Sequence, residues 1–210
     1  MEIPPVILAI DTSLGPCSVA ISRGSTIVAE AEEPSAGKQS RVLVPMIEDT
    51  LKRAELAYKD LSAVACTIGP GGFTGIRVGL ATARAIALAA NKPLIGLTTL
   101  EVMAWSAQIR GDVLAIIDAY RNQRYAQRFR ANGSLIPQSD PLLVEETAVA
   151  ALGHGAKIIE TPPNARNTAL LAAEKWAAGE RNFPAAPLYI RAPDAKLPSS
   201  EGLKCDGELL

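Results

Sequence analysis

The chain has 210 residues, enough for one large domain or for two lobes of roughly 100 residues each. Apolar residues make up 48% of it and aromatic residues only 4%, so a filled core would consist mostly of Ala, Val, Ile and Leu. The formal net charge of −1 argues against a polyanion as the main direct partner. Any nucleic acid would then be held mainly by another subunit.

Several sequence features indicate a protein of a reducing compartment. The three cysteines are odd in number and widely spaced, which is typical of free thiols rather than of a disulfide framework. The start at Met1 lacks the basic segment of a signal peptide. No segment approaches the roughly 20 consecutive apolar residues that a membrane span requires. We therefore expect a soluble, cytoplasmic protein that does not contact a membrane.

The start of the chain predicts three antiparallel strands. Residues 6–10 form an apolar run, which is typical of a strand buried on both faces, and Asp11 ends it. Residues 17–22 and 27–32 alternate between apolar and polar side chains and follow as the other two strands.

Two helices are predicted around these strands. Apolar residues recur with helical spacing over residues 41–56, where Pro45 either limits the start of the helix or kinks it. A second helix is expected over residues 98–108, because Thr98 and Glu101 have the spacing of a capping box.

A glycine-rich turn links a short buried strand at residues 63–68 to a long helix at residues 74–90. Residues 69–72 are three glycines and a proline, and glycine alone enters positive φ freely, so the turn is tight. Thr74 suits the N-cap position of the helix. The common phosphate-binding patterns are not present, because no lysine follows the glycines and Thr74 stands where the dinucleotide pattern has its third glycine.

The long helix is apolar almost all round. Its two charged residues, Arg77 and Arg84, lie seven residues apart on one stripe. Two interpretations fit this pattern: a buried core helix with two arginines that reach solvent, or a helix that also contacts a partner protein. One of its faces consists of small residues at every fourth position, namely Gly75, Gly79, Ala83 and Ala87.

The opening pattern returns in the second half of the chain. Residues 113–118 repeat the form of residues 6–11, an apolar strand that ends in aspartate, and the alternating segment 124–130 follows with an Asn132-Gly133 hairpin turn. The repeat predicts an α/β fold with two duplicated lobes. We expect an N-terminal lobe over residues 1–110, a smaller C-terminal lobe over residues 111–192 and a disordered tail over residues 193–210.

The remainder of the second half is less regular. We expect a helix at residues 144–152, a short strand at residues 156–159 and a helix at residues 168–178 that Gly179 closes. Pro, Ser, Gly and charged residues dominate the end of the chain, which is why the tail is expected to lack fixed structure.

Two aspartates end the two repeated strands. Asp11 and Asp118 would both lie at the edge of a sheet, where α/β proteins bind ligands. One interpretation is that they flank a cleft and arrange a phosphate or its metal. The other is that each accepts backbone N–H groups in the turn that follows. The adjacent residues 120–125 hold two arginines and two tyrosines, which fits either a polar ligand or RNA contact or a solvated loop.

The sequence contains no recognisable metal site or activated nucleophile. His154 is the only histidine, and neither an H-x-x-x-H nor a C-x-x-C spacing occurs. Cys66 lies within an apolar strand, where a thiolate is disfavoured. We therefore assign no catalytic residue and no metal ligand.

Several segments resemble the TsaB (YeaZ) family. Residues 7–13 and 17–20 resemble the N-terminus of these proteins, and residues 69–79 look like the signature loop and helix of the family. The resemblance extends from residue 6 to about residue 198. Weaker matches follow in the expected order at residues 95–100, at residues 117–119 with Tyr125, and at residues 188–191.

The resemblance implies a fold of the actin/Hsp70/sugar-kinase (ASKHA) type with two duplicated lobes. It also implies a role in making N6-threonylcarbamoyladenosine at position 37 of tRNA. Members of this family are non-catalytic partners of TsaD, which transfers the threonylcarbamoyl group, and an ATPase called TsaE joins the complex. The resemblance implies that the chain meets tRNA only through the complex and could form a homodimer when alone. It leaves open whether an adenine nucleotide binds at the subunit interface.

The resemblance also assigns residues. TsaB pairs with TsaD through the first two long helices of each protein, which here would be residues 41–54 and 74–90. The metal-binding histidine pair of TsaD-like paralogues has no counterpart in residues 39–46. The predicted partner interface consists of Leu43, Met46, Ile47, Gly75, Arg77, Gly79, Ala83, Arg84 and Ala87. A vestigial nucleotide site would consist of Asp11, Thr12, Gly71, Gly72 and Asp118.

Two enzymatic interpretations compete with the scaffold. A sugar-kinase-like enzyme would use Asp11 to organise phosphate and Asp118 as a base. A glycoprotease-like peptidase would need a metal or an activated nucleophile. The kinase predicts ATP turnover by the isolated chain, whereas the scaffold predicts none.

Overall fold

Two five-stranded sheets and five helices form from residues 3–35, 37–183 and 186–191, which are the residues that this computed structural model describes. The tail predicted over residues 193–210 lies outside the described residues. The strands are β1 (Val6–Asp11), β2 (Cys17–Arg23), β3 (Thr26–Glu33), β4 (Ala63–Thr67), β5 (Leu94–Leu97), β6 (Gly111–Asp118), β7 (Gln123–Ala131), β8 (Leu135–Pro137), β9 (Leu142–Glu145) and β10 (Lys157–Ile159). The helices are α1 (Gln39–Arg53), α2 (Phe73–Ala90), α3 (Thr99–Ser106), α4 (Val149–Leu152) and α5 (Ala165–Ala177).

The first sheet has the strand order β3-β2-β1-β4-β5. Strand β1 pairs antiparallel with β2 and parallel with β4, so it occupies the centre of the sheet. Every residue of β4, and all of β1 after Val6, is buried. Burial on both faces is the reason that these two strands read as continuous apolar runs rather than as alternating segments.

The second sheet repeats the arrangement of the first. Its order is β10-β6-β7-β8, and β9 also pairs with β7. Strand β6 is antiparallel to β7 and parallel to β10, as β1 is to β2 and β4. The duplicated two-lobe fold predicted from the repeated strand and aspartate is therefore confirmed.

Helices cover both faces of the first sheet. Helices α1 and α2 enclose one core with β1, β2 and β4, while α5 packs against the opposite face. Helix α3 lies between the two sheets, because Val102 faces the first and Leu100 and Met103 face the second. Helix α5 falls within the range 111–192 expected for the C-terminal lobe, yet it packs on β1 and β2. Position along the chain therefore does not assign this helix to a lobe.

Two local predictions are wrong. Residues 144 and 145, predicted as the start of a helix, belong instead to β9, because residues 142–145 pair with residues 123–126 of β7, and α4 begins only at Val149. Thr74 is not the N-cap of α2: the helix begins at Phe73, its N-cap is Gly72, and no side chain caps it. The predicted N-cap of α3 is confirmed, since the Thr98 side chain accepts a hydrogen bond from the Glu101 N–H at 3.1 Å.

Helix α2 approaches the turn after β1 so closely that side chains would not fit between them. A Cβ on Gly75 would lie 2.0 Å from the Thr12 carbonyl oxygen, and one on Gly79 would lie 2.3 Å from Thr12 Oγ1. The same hydroxyl donates a hydrogen bond of 2.7 Å to the Gly75 carbonyl. The Gly72 N–H donates to the Ser13 carbonyl at 2.8 Å. The glycines of this segment therefore serve the packing of the chain against itself.

Gly75→Ala is expected to lower the free energy of unfolding by about 2 to 3 kcal/mol, because the added Cβ meets backbone that cannot move aside. Gly72→Ala is the matched control, since its Cβ would lie 3.5 Å from the Ser13 carbonyl oxygen at a φ of −64°. Urea unfolding of both variants measures the difference. Equal stability of the two variants would show that the close approach does not constrain the fold.

Candidate functional site

A cleft of about 650 Å³ opens at the carboxyl ends of the central strands, between the two sheets. Its walls come from the turn after β1, from the glycine segment before α2 and from the end of β6 with the start of β7. Four of the five residues predicted for a vestigial nucleotide site line it, namely Thr12, Gly71, Gly72 and Asp118. The structure thus brings residues that are about 100 positions apart in the sequence into one cavity, as the repeat predicted.

Asp11, the fifth residue, lies beneath the cleft rather than in its wall. Its side chain is only 2% exposed. Oδ1 accepts hydrogen bonds from Thr67 Oγ1 at 2.6 Å, from Ser13 Oγ at 2.7 Å and from the Ser13 N–H at 3.1 Å. The interpretation in which this carboxylate serves the following turn is confirmed, and its assignment to a nucleotide site is corrected, because it is buried beneath the cleft and accepts hydrogen bonds from Ser13 and Thr67.

Burial changes the ionisation of Asp11. Desolvation raises the pKa of the carboxyl above its ordinary value of 3.8, while the hydrogen bonds from Thr67 and Ser13 act in the opposite direction. The group joins β1 to β4 and to the turn, so it has a structural role.

Asp118 has a different environment. Its side chain is 61% exposed and lines the cleft. Oδ1 accepts a hydrogen bond of 2.8 Å from the Tyr120 N–H, and Arg124 Nη1 lies 3.9 Å away. The interpretation in which Asp118 accepts a backbone N–H in its turn is confirmed. Its side chain also faces the cavity, and a role in arranging a phosphate or its metal stays a prediction.

The turn after Asp118 has an unusual backbone. Tyr120, Arg121 and Asn122 have φ values of 59°, 58° and 57°, a run of three left-handed residues without a glycine. Left-handed backbone costs roughly 1 to 2 kcal/mol per residue of this kind, and such strain is concentrated at functional sites. The Tyr120 side chain is 76% exposed at the mouth of the cleft. The turn is therefore a second candidate ligand contact on the C-terminal side.

Carboxylates already pair with the arginines of β7. Arg124 forms an ion pair with Glu146 next to Asp118. Arg128 and Arg130 both pair with Asp112, at 3.2 and 2.8 Å. This strand therefore offers no uncompensated cationic stripe of the kind that holds a nucleic-acid backbone.

The described residues provide few groups for chemistry. No group of three or more His, Cys, Asp or Glu side chains among residues 3–35, 37–183 and 186–191 is placed to hold a metal ion. Burial raises the pKa of the Cys17 thiol to about 11 and that of Cys66 to about 12, so neither is a nucleophile near neutral pH. Cys205 lies outside the described residues.

The predicted partner interface needs correction. Six of its nine residues pack inside the chain, because the small face of α2 meets the turn after β1 and the inner face of α1 meets β2: Leu43, Ile47, Gly75, Gly79, Ala83 and Ala87. Their burial leaves them unavailable to a partner. Of the other three, Met46 is half-buried, and Arg77 and Arg84 are exposed.

The opposite side of α2 is exposed and mostly apolar. We call Arg77, Ala81, Ala85 and Leu88 the outer stripe of α2, because their spacing of 4, 8 and 11 residues from Arg77 places them on one face. Leu88 is 84% exposed, and Val44 on the neighbouring α1 is 48% exposed. By length and composition α2 could cross a membrane, but its inner face packs on the first sheet. An exposed apolar stripe on a packed helix is typical of a protein contact surface.

Sequence reasoning missed an aromatic cluster at the start of this stripe. Phe73 and Tyr189 are 52% and 42% exposed, and their ring centroids lie 5.3 Å apart. Phe73 also lines the cleft. Two features of the sequence could have indicated this cluster. Phe73 is an aromatic residue directly after the glycines, and residues 188–191 form a short, largely apolar segment for which no packing partner was predicted.

The repeated sheet order and the cleft between the sheets define a two-lobe protein of the actin/Hsp70/sugar-kinase class. The family model described as "TsaD: tRNA N6-adenosine threonylcarbamoyltransferase" matches residues 33–157. The chain belongs to the TsaB (YeaZ) family within this group. The fold class and the family predicted from the sequence are both confirmed.

Three relatives illustrate the match. Escherichia coli TsaB, the "tRNA threonylcarbamoyladenosine biosynthesis protein", is 40% identical over 122 residues, which cover 57% of this chain and 52% of that protein. An uncharacterized Mycobacterium tuberculosis protein is 33% identical over 203 residues, covering 90% and 93% of the two chains. The structure of YeaZ from Pseudomonas aeruginosa superimposes with a TM-score of 0.76 at 24% identity, covering 88% and 99%. The chain thus spans about half the length of the E. coli relative.

Asp11→Asn is expected to remove a pH-dependent contribution to stability. Because burial raises the folded-state pKa of Asp11 above its ordinary value of 3.8, its contribution is fully present below that value and is lost as pH rises through the folded pKa. The unfolding free energy of the wild type minus that of the variant should fall with rising pH, by up to about 1.4 kcal/mol per pH unit. Urea titrations between about pH 3 and pH 8 measure it. A difference that grows with pH would contradict the expectation.

Proposed function

We propose that this protein is a non-catalytic subunit that docks onto a TsaD-like catalytic subunit in the synthesis of N6-threonylcarbamoyladenosine in tRNA. Family membership and the role that the name of the E. coli relative gives it, tRNA threonylcarbamoyladenosine biosynthesis, support the pathway. The single observation that supports the docking role is the outer stripe of α2, which is exposed and mostly apolar on a helix whose other face packs on the sheet.

The residues of and beneath the cleft support the proposal that the partner carries out the chemistry. Asp11 is buried and accepts hydrogen bonds from Ser13 and from Thr67 on β4, and the two described thiols have raised pKa values. The remaining acid of the predicted pair, Asp118, lies beside the cation of Arg124 and accepts a backbone N–H. These groups stabilise the fold around the cleft, and none is arranged as a nucleophile with its base.

The proposed docking surface combines the outer stripe of α2 with the exposed side of α1. Val44 supplies apolar area beside the stripe, and the two helices pack next to each other on one face of the sheet. Helices presented in this way can pair with two helices of a partner as a bundle. In the same proposal a TsaE-like ATPase joins the assembly in the cytoplasm, tRNA is met only through the complex, and the surface pairs two copies of the chain when TsaD is absent.

The cleft supports a second candidate function, an ASKHA-type nucleotide-binding enzyme. Thr12, Gly71, Gly72 and Asp118 surround one cavity at the carboxyl ends of the strands, where this class of fold holds its ligand. ATP turnover by the isolated chain would favour it over the scaffold. An adenine nucleotide held at the subunit interface without turnover remains compatible with the scaffold. A glycoprotease-like peptidase is less well supported, because the cleft walls offer no activated nucleophile.

A reconstitution that omits only this chain tests the proposal. With a TsaD-like protein, a TsaE-like ATPase, threonylcarbamoyl adenylate and tRNA, we expect modification to require the chain, although the chain alone should modify no tRNA and hydrolyse no ATP. Mass spectrometry of tRNA nucleosides measures the product. Modification of tRNA by the purified chain, or undiminished modification without it, would reject the non-catalytic role.

Ala81→Trp should block docking while leaving the fold intact, because Ala81 is exposed in the middle of the outer stripe. We expect loss of co-purification with the TsaD-like subunit and an unchanged melting temperature. Ala150→Trp is the matched control, an exposed helical alanine of the second lobe that should bind normally. Ala83→Trp should instead unfold the chain, since Ala83 is fully buried. Normal binding by the Ala81→Trp variant would remove α2 from the interface.

A further inference from the structure

An exposed arginine stacks on one aromatic ring and hydrogen-bonds to a second at the start of the outer stripe. The Arg77 guanidinium carbon lies 3.6 Å from the centre of the Phe73 ring and 5.9 Å from that of Tyr189. Arg77 Nε also donates a hydrogen bond of 3.0 Å to the Tyr189 hydroxyl. Stacking on the rings is a cation–π contact, and the hydrogen bond fixes the plane of the guanidinium. We call Phe73, Arg77 and Tyr189 the arginine clamp.

The clamp is built from distant parts of the chain and is held in place. The Leu188 N–H donates to the Ile68 carbonyl at 2.8 Å, which anchors the segment that carries Tyr189. The same segment packs closely against Gly69, because a Cβ on this glycine would lie only 2.7 Å from the Leu188 carbonyl oxygen. Arg191 Nη2 donates to Gln123 Oε1 at 2.5 Å and holds the far end of the segment to the second sheet. Tyr189 is therefore pre-positioned before any partner arrives.

Arg77 can still bind an anion. Nε is used by Tyr189, and within the described residues no carboxylate lies in ion-pair distance of Arg77, whereas Arg124, Arg128 and Arg130 on β7 are all paired. Holding a guanidinium in one plane reduces the entropy lost when two parallel hydrogen bonds form to a carboxylate. The clamp thus presents a fork of donors toward solvent.

We infer that the arginine clamp is the polar anchor of the docking surface and binds a carboxylate side chain of the protein partner. This inference rests on the proposed function and names the chemistry that the partner brings to the same surface. The partner element is an apolar helix that covers Ala81, Ala85 and Leu88 and has an Asp or Glu near one end. Eleven residues of helix separate Arg77 from Leu88, so the carboxylate lies about 16 Å along the helix from the apolar contact at Leu88.

The surroundings of the clamp favour a protein carboxylate over an RNA phosphate. The clamp adjoins the apolar residues of the outer stripe, Arg84 is the one other cation on α2, and the chain carries a net charge of −1. Arginine and tyrosine are also among the residue types that contribute most to binding at protein interfaces. A phosphate of RNA is the alternative anion, and the test below separates the two.

The test is calorimetric binding of the full chain to the TsaD-like subunit. Arg77→Gln is expected to weaken binding about tenfold and to reduce its salt dependence, because the charge that pairs with the carboxylate is gone. Arg77→Lys should recover only part of the loss, since an ammonium lacks the planar fork. Tyr189→Phe keeps the ring but removes the orienting hydrogen bond, and a smaller loss is expected.

Arg181→Gln is the matched control. The Arg181 guanidinium also stacks on an aromatic ring, 4.0 Å from the centre of Trp176, but it does not belong to α2, so this variant should bind like the wild type. Melting temperatures of all variants should agree. If Arg77→Gln binds with the affinity and salt dependence of the wild type while Ala81→Trp does not bind, the inference about the arginine clamp is wrong and the proposed docking surface is still supported. Unchanged binding in both variants would overturn both. Weaker tRNA binding by isolated Arg77→Gln, with subunit binding intact, would assign the clamp to phosphate and overturn the inference.

Discussion

The contact between the start of α2 and the turn after β1 determines the rest of this structure. Thr12 fills the space in front of Gly75 and Gly79, and its hydroxyl donates to the Gly75 carbonyl at 2.7 Å. Because backbone meets backbone here, neither segment can shift without the other. The contact sets the position of the helix along the sheet and also its rotation about its own axis. The rotation decides which side chains of α2 are enclosed and which remain available to another protein.

Two surfaces follow from this one contact. The glycine segment forms a wall of the cleft between the sheets, with Asp11 buried below as a tie between β1 and β4. On the other side, the outer stripe of α2 runs along the exposed face. The surfaces meet at Phe73, which lines the cleft and also stacks under Arg77. A partner that covers α2 would therefore contact a residue of the cleft wall, so docking and the state of the cleft are physically connected.

Local patterns were sufficient for much of the fold. The apolar runs of β1 and β6, each ending in aspartate, predicted the duplicated lobes and the cleft between them, because burial on both faces leaves a continuous apolar signature. The Thr98 cap of α3 was also readable, since capping depends on residues three apart. Residues 144 and 145 were wrongly predicted as helix because a short apolar run fits a helix or a strand equally well, and the pairing of residues 142–145 with β7 decides for the strand.

The sequence by itself determined that this chain belongs to the TsaB family, that it has two related halves, and that α2 is a slim helix with a face of small residues. It could not determine what that face meets, because Gly75 and Gly79 would suit a partner helix and the turn after β1 equally well. Only the tertiary structure decided that the small face is enclosed by its own chain and that Arg77, Ala81 and Leu88 face outward. The physical reason is that periodicity fixes which residues share a side of a helix, whereas the direction of that side depends on contacts between distant segments.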